Sequence, residues 1–140
     1  MEAHGHFDIW VDNKVVLARL RGSWNQEMAQ RYADDFKQVA QPFINGRWAH
    51  IVYLDDWELG TPEFESVIAE LVNWVIDNGL KRTAQVYSPS MLKQYQMDKL
   101  VKESINDFKR RVFREESEAF EWLSHEGYPV QRALLHPMSA

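Results

Sequence analysis

Cysteine is absent from the 140-residue chain, which removes disulfide staples, thiolate zinc centres and cysteine nucleophiles from consideration. Glycine is scarce as well. Six glycines leave little room for a phosphate-cradling loop, and neither G-x-S-x-G nor H-E-x-x-H occurs in the sequence. No apolar run approaches the ~20 residues that a membrane-spanning helix requires. The opening Met1-Glu2-Ala3-His4-Gly5-His6 has an acidic residue and no apolar stretch behind it, unlike a secretory signal, so cytoplasmic residence is expected. Basic charge is also in short supply. With a formal net charge of −5, a nucleic-acid binder would need a strong local basic stripe. The best candidate, Lys109-Arg110-Arg111 with Arg114, is broken by Val112 and Phe113 and reads as a solvated strand entrance. Nucleic acid is not an expected partner.

What is present describes one ordinary domain over residues 1–140. Hydrophobic residues make up 45% and charged residues 26%, the balance of a globular protein. Phe7–Val11 and Val15–Leu20 are β-rich runs joined by Asp12-Asn13, a pair that tolerates the left-handed backbone of a tight hairpin. Gly22 is expected to end the second strand. Ser23-Trp24-Asn25-Gln26 has the form of a capping box, with Asn25 as a rival cap. The first helix then carries Met28, Tyr32, Phe36, Val39 and Phe43 at helical spacing.

Trp48–Leu54 reads as a short strand buried on both faces, and Asp55–Gly60 as a loop. Thr61-Pro62-Glu63 opens a second helix with a hydroxyl cap, a proline at the first helical position and a carboxylate near the positive dipole end. Arg82–Tyr87 alternates as a strand, and Ser90–Asn106 as a helix that is broken or mobile, because its apolar residues do not settle on one face. Lys109–Arg114 supplies a last strand, and Glu115-Glu116 leads a final helix with Ala119, Phe120, Trp122 and Leu123 inward. The chain from residue 128 onward reads as an extended tail. The order is β-β-α-β-α-β-α-β-α: a mostly parallel mixed sheet with a hairpin start and helices mainly on one face. The opposite face is expected to be partly wet, with Ala84 and Val86 alternating against Thr83, Gln85 and Tyr87.

This order, together with Arg21-Gly22-Ser23-Trp24-Asn25, Leu54-Asp55-Asp56 and Val112–Leu123, resembles the SpoIIAA-like, STAS-related family over about residues 7 to 125. The resemblance implies a fold shared with anti-sigma-factor antagonists and, more distantly, with domains that carry apolar ligands. It also implies a phosphorylatable serine at the start of the second helix. No serine stands there: Thr61 is the only hydroxyl, among carboxylates that oppose an added phosphate, so Thr61 is expected to be a structural cap.

No nucleophile with a base is apparent, and no catalytic residue, cofactor or metal is expected. His4 and His6 offer two metal ligands where a site needs three or four. The acidic run Asp55-Asp56-Trp57-Glu58 has the carboxylates for acid/base work or cation binding, yet its bland reading is a solvated loop. Its place at the carboxyl end of a strand, where α/β sheets bind ligands, favours contact with a partner or ligand. Of six tryptophans, Trp74 and Trp122 belong on apolar helix faces. Trp10, Trp24 and Trp57 fall in exposed-looking places, as rings of an interface or pocket do. Met91, Leu92, Tyr95 and Met97, with Tyr87 nearby, suit an adaptable lid over an apolar site. The leading expectation is a non-enzymatic module that recognises another protein through Asp55, Asp56, Trp57, Glu58 and Thr61. The alternative is a carrier or sensor of a small apolar or amphipathic ligand under Ser90–Asn106, at a membrane surface or as a homodimer.

Overall fold

The computed structural model describes residues 5–131; of the tail expected from residue 128, Tyr128 is instead buried in the core under α4, its N–H donating to the Leu123 carbonyl at 2.7 Å, and residues 132–140 lie outside the described residues, as does the candidate ligand His4. β1 (His6–Asp12) and β2 (Val15–Trp24) form the expected antiparallel hairpin. Asn13 takes the left-handed conformation at φ 55°, where its short polar side chain is tolerated. α1 (Gln26–Ala40) follows, then a 3₁₀ turn over Gln41–Phe43. β3 (Trp48–Tyr53), β4 (Trp57–Gly60), α2 (Pro62–Asp77) and β5 (Leu80–Val86) form the middle of the chain. α3 (Met91–Leu100), β6 (Ser104–Ile105), β7 (Phe108–Phe113) and α4 (Glu116–His125) complete it.

The strands make one mixed sheet in the order β1-β2-β3-β5-β7-β6. β2, β3, β5 and β7 run parallel, and β1 and β6 are antiparallel edges. α1, α2 and α3 lie on one face, where Met28, Phe36, Ile68, Leu71 and Met97 share a core with Val16, Leu20 and Val52. Parallel crossovers of one hand put them there. α4 covers the other face, packing Ala119 and Leu123 against Leu17, Ile51, Ala84 and Val86.

Several sequence expectations need correction. Gly22 does not end β2: it sits at φ 78° inside the strand, at a bulge beyond which β2 continues to Trp24. The continuation has a partner, because Asp55–Gly60 is not simply a loop. After a turn at Asp55-Asp56, β4 pairs in parallel with Gly22 and Trp24. The helix cap is Asn25, whose side chain accepts from Met28 N at 2.9 Å. Ser23 is drawn away to donate to Glu58 at 2.7 Å. The face expected to be wet is not wet at β5, since Thr83 and Gln85 are buried under the helices and Ala84 and Val86 under α4. β6 is a two-residue strand inside the segment read as helix, and turns at Asn106, φ 53°, into β7.

Candidate functional site

Strands β3 and β5 carry three polar side chains toward the helix-covered face: His50, Thr83 and Gln85. They line a cavity of about 80 Å³ between the sheet and the helices. Its remaining walls are hydrocarbon and aromatic. Tyr32 and Phe36 come from α1, Phe64, Ile68 and Leu71 from α2, and Met97 and Val101 from α3 and its end. The volume is about half that of the ~150 Å³ engineered cavity known to hold benzene. It therefore admits a group of a few heavy atoms as it stands, and more if a wall yields.

The polar residues are held differently from the walls. His50 Nδ1 lies 2.7 Å from the Val16 carbonyl oxygen, and the edge of its ring meets Phe36 with centroids 4.8 Å apart. Burial pulls the imidazole pKa down to about 4, outweighing the opposing effect of the Val16 contact. His50 is therefore neutral at pH 7. Gln85, 2% exposed, directs its amide nitrogen to Met97 Sδ at 3.5 Å, while its buried Oε1 has no partner among the described residues.

α3 closes the cavity and is itself tied down along its length. Ser90 caps it, accepting from Lys93 N at 3.3 Å. Lys93 Nζ donates to the Leu54 carbonyl at 2.7 Å and that of Asp55 at 3.1 Å. Gln96 exchanges hydrogen bonds with both backbone groups of Gly60 and donates to Glu65. Arg110 is buried beneath the helix end, where it donates to the Met97 and Val101 carbonyls at 2.9 and 3.0 Å and pairs with Asp98. The Met97 carbonyl also accepts the last helical bond, from Val101 N at 2.9 Å, so the guanidinium adds a second donor there, holds the Val101 carbonyl beyond it and caps the helix end from β7.

The residues singled out from sequence divide into three groups. Trp24 and Trp57, expected at the surface, are each 1% exposed and pack with Phe64 beside the cavity. The extension of β2 and its pairing with β4 carry both rings inward. Met91, Leu92 and Tyr95 depart the other way. They are exposed at 90%, 65% and 65%, pointing away from the cavity they were expected to cover, and Met97 and Val101 provide the cover instead. Tyr87 is buried and donates to Gln94 at 3.0 Å, so it joins β5 to α3 without lining the cavity.

The acidic turn is engaged internally. Asp55 accepts from Ser88 N at 2.7 Å, Asp56 pairs with Arg19, and Glu58 accepts from Ser23. Thr61 is the α2 cap, its hydroxyl accepting from Phe64 N at 3.4 Å. Among the described residues, no three His, Cys, Asp or Glu side chains form a group that could hold a metal. Sequence reasoning missed His50, Thr83, Gln85 and Arg110 as site residues. A signal existed in polar residues placed within β-strands otherwise buried on both faces.

No family model matches the sequence, and no curated protein does. Solved structures do match. An uncharacterized protein of the DUF3478 family from Shewanella loihica PV-4, described as having a SpoIIAA-like fold, superposes with a TM-score of 0.66 at 12% identity, covering 88% of this chain and 98% of its own. The fold is SpoIIAA-like. The NMR structure of the protein TM1081 is a second neighbour, with a TM-score of 0.58 at 19% identity over 89% of this chain and 93% of that one. At these identities the likeness concerns the SpoIIAA-like architecture alone, and the side chains of the cavity stand on their own chemistry.

Proposed function

We propose that the protein is a non-enzymatic binding module for a small, largely apolar molecule, taken into the cavity beneath α3. The observation that carries this reading is the cavity itself: hydrocarbon walls from three helices around a small polar floor. Binding sites for small molecules commonly combine apolar walls with a few placed polar groups. Core packing alone gives no reason to collect His50, Thr83 and Gln85 there. A cytoplasmic setting belongs to the same proposal, and among the described residues no helix is long and apolar enough to cross a membrane.

Native mass spectrometry of freshly purified protein tests the reading. The expected result is an added mass of a small organic molecule, reduced by a cavity-filling Val101→Phe substitution. A bare mass, together with no slowing of α3 hydrogen exchange by any apolar additive, would overturn it.

A second reading, recognition of another protein, is favoured by the outer side of α3. Exposed Met91, Leu92 and Tyr95 form an apolar surface beside the acidic turn, to which Lys93 bonds. The anti-sigma-antagonist role is not part of this proposal, because Thr61 is committed as a cap. Loss of binding to a captured protein partner on Leu92→Gln and Tyr95→Gln substitution, with the cavity unaltered, would support the second reading.

A further inference from the structure

The polar floor of the cavity is specific about hydrogen-bond direction. A carbonyl oxygen can only accept, so the 2.7 Å contact with Val16 requires the proton of His50 to sit on Nδ1. The neutral ring then offers a lone pair at Nε2, which has no hydrogen-bond partner among the described residues. Gln85 reaches the same arrangement by another route. Its nitrogen faces the Met97 sulfur, a weak acceptor, and its buried oxygen is left without a donor. Reversing the amide would set the oxygen against the sulfur and strand both N–H groups, so the assignment follows from the network. Thr83, paired across the strands with His50, contributes a hydroxyl of either sense.

The lining therefore presents two acceptors, the ambivalent hydroxyls of Thr83 and Tyr32, and no cation. Arg110 is the nearest candidate for a cation on this face, yet it does not line the cavity. Its Nη atoms are spent on α3 and Asp98, although its buried Nε has no partner. A carboxylate entering this site would meet lone pairs in a low-dielectric space, which opposes its charged form. A hydrocarbon would leave the acceptors without donors, the costly condition for buried polar atoms.

Resting on the ligand-binding reading above, we propose that the cavity selects a neutral molecule that donates a hydrogen bond, an apolar alcohol, in preference to a carboxylic acid. The hydroxyl donates to His50 Nε2 or Gln85 Oε1 and the carbon skeleton faces Ile68, Leu71 and Met97. A site built to pair with a donor discriminates strongly against analogues that lack it.

The test uses the full chain with cyclopentanol, methylcyclopentane and cyclopentanecarboxylate as probes. Affinities are read by NMR titration, together with the ¹⁵N shift of His50 Nε2. Cyclopentanol is expected to bind and move the Nε2 resonance upfield, as acceptance of a hydrogen bond does, while methylcyclopentane binds without that change. The carboxylate is expected to bind at least tenfold more weakly than the alcohol. In Gln85→Met the ratio of alcohol to hydrocarbon affinity should fall several-fold. Should that variant not fold, the Nε2 shift in the unchanged protein still decides. Binding of the hydrocarbon with no Nε2 response to the alcohol, or tighter binding of the carboxylate, would overturn the donor preference and leave the ligand-binding reading standing. Absence of binding by all three probes would overturn both.

Discussion

The two faces of the sheet are built to different rules. Under α4, Leu17, Ala49, Ile51, Ala84 and Val86 meet Ala119 and Leu123, and every one of these side chains is apolar. Under α1, α2 and α3 the core is larger and includes most of the big aromatic rings, yet it contains His50, Thr83 and Gln85 and a cavity. Close packing without polar atoms is what stability alone favours. On the α4 face the Tyr53 hydroxyl bonds Glu116 and an open cleft lies between β7 and α4, lined by Arg111, Glu118 and His125; on the face crossed by α3 the polar side chains and the cavity lie inside the core. One surface of the same strands is packed by apolar side chains, while the other encloses three polar side chains and a cavity within its core.

The sharpest way to break this comparison is Leu123→Ala, which removes a fully buried side chain from the apolar core under α4. A loss of about 2–5 kcal/mol is expected in urea denaturation. A loss near that of an exposed substitution would show that the α4 face is loosely packed after all.

Acid should act through the other face. The folded pKa of His50, about 4, lies below its ordinary 6.5. The unfolded chain therefore binds the proton first, and stability is fully present above pH 6.5 and is lost as pH falls toward 4. The loss between pH 7 and pH 4.5 is of the order of 2–3 kcal/mol. His50→Gln should remove most of that dependence. The carboxylates of Asp98, Asp107 and Glu126, held low by Arg110, Arg47 and Arg82, respond chiefly below this window. An unchanged pH profile in the variant would place the acid sensitivity elsewhere.

Thr61→Ala removes the α2 cap and is expected to cost about 0.5–2 kcal/mol, with Thr61→Ser nearly neutral. Stoichiometric phosphate on Thr61 in protein from its native cell would contradict the structural role. The smallest effect belongs to Leu92→Gln on the outer side of α3, where a change within about 0.5 kcal/mol is expected. A larger loss, measured by thermal unfolding, would mean that this exposed side chain is covered in solution.

Local chemistry made much of the fold legible. Asp12-Asn13, Thr61-Pro62 and the Met28-Tyr32-Phe36 spacing each carry a physical instruction that acts within a few residues, and each is obeyed. β4 was hidden because Trp57–Gly60 is short and follows two aspartates, and its pairing with β2 depends on a bulge thirty-odd residues earlier in the chain. Trp24 and Trp57 looked exposed for the same reason. α3 has no apolar stripe because it faces the Gln85 amide, the Arg110 guanidinium and a cavity as well as a core, so the usual signal for a packed helix is diluted. The site was hardest to see. His50 and Gln85 are isolated polar residues in separate strands, and only the parallel register brings them beneath one helix.

β2 is paired along one edge by β3 from Val15 to Arg19 and by β4 from Gly22 to Trp24, both in parallel. The stretch from Trp48 to Gly60 is thus one long strand interrupted by Asp55-Asp56. Side chains alternate along a strand, so a single-residue deletion in that interruption would slip β4 by one position and turn Trp57 from the interior toward water. Lengthening it by one residue would do the same in reverse. This turn therefore has a fixed length, and in any engineered version of the domain it is the wrong place to insert a tag or graft a loop.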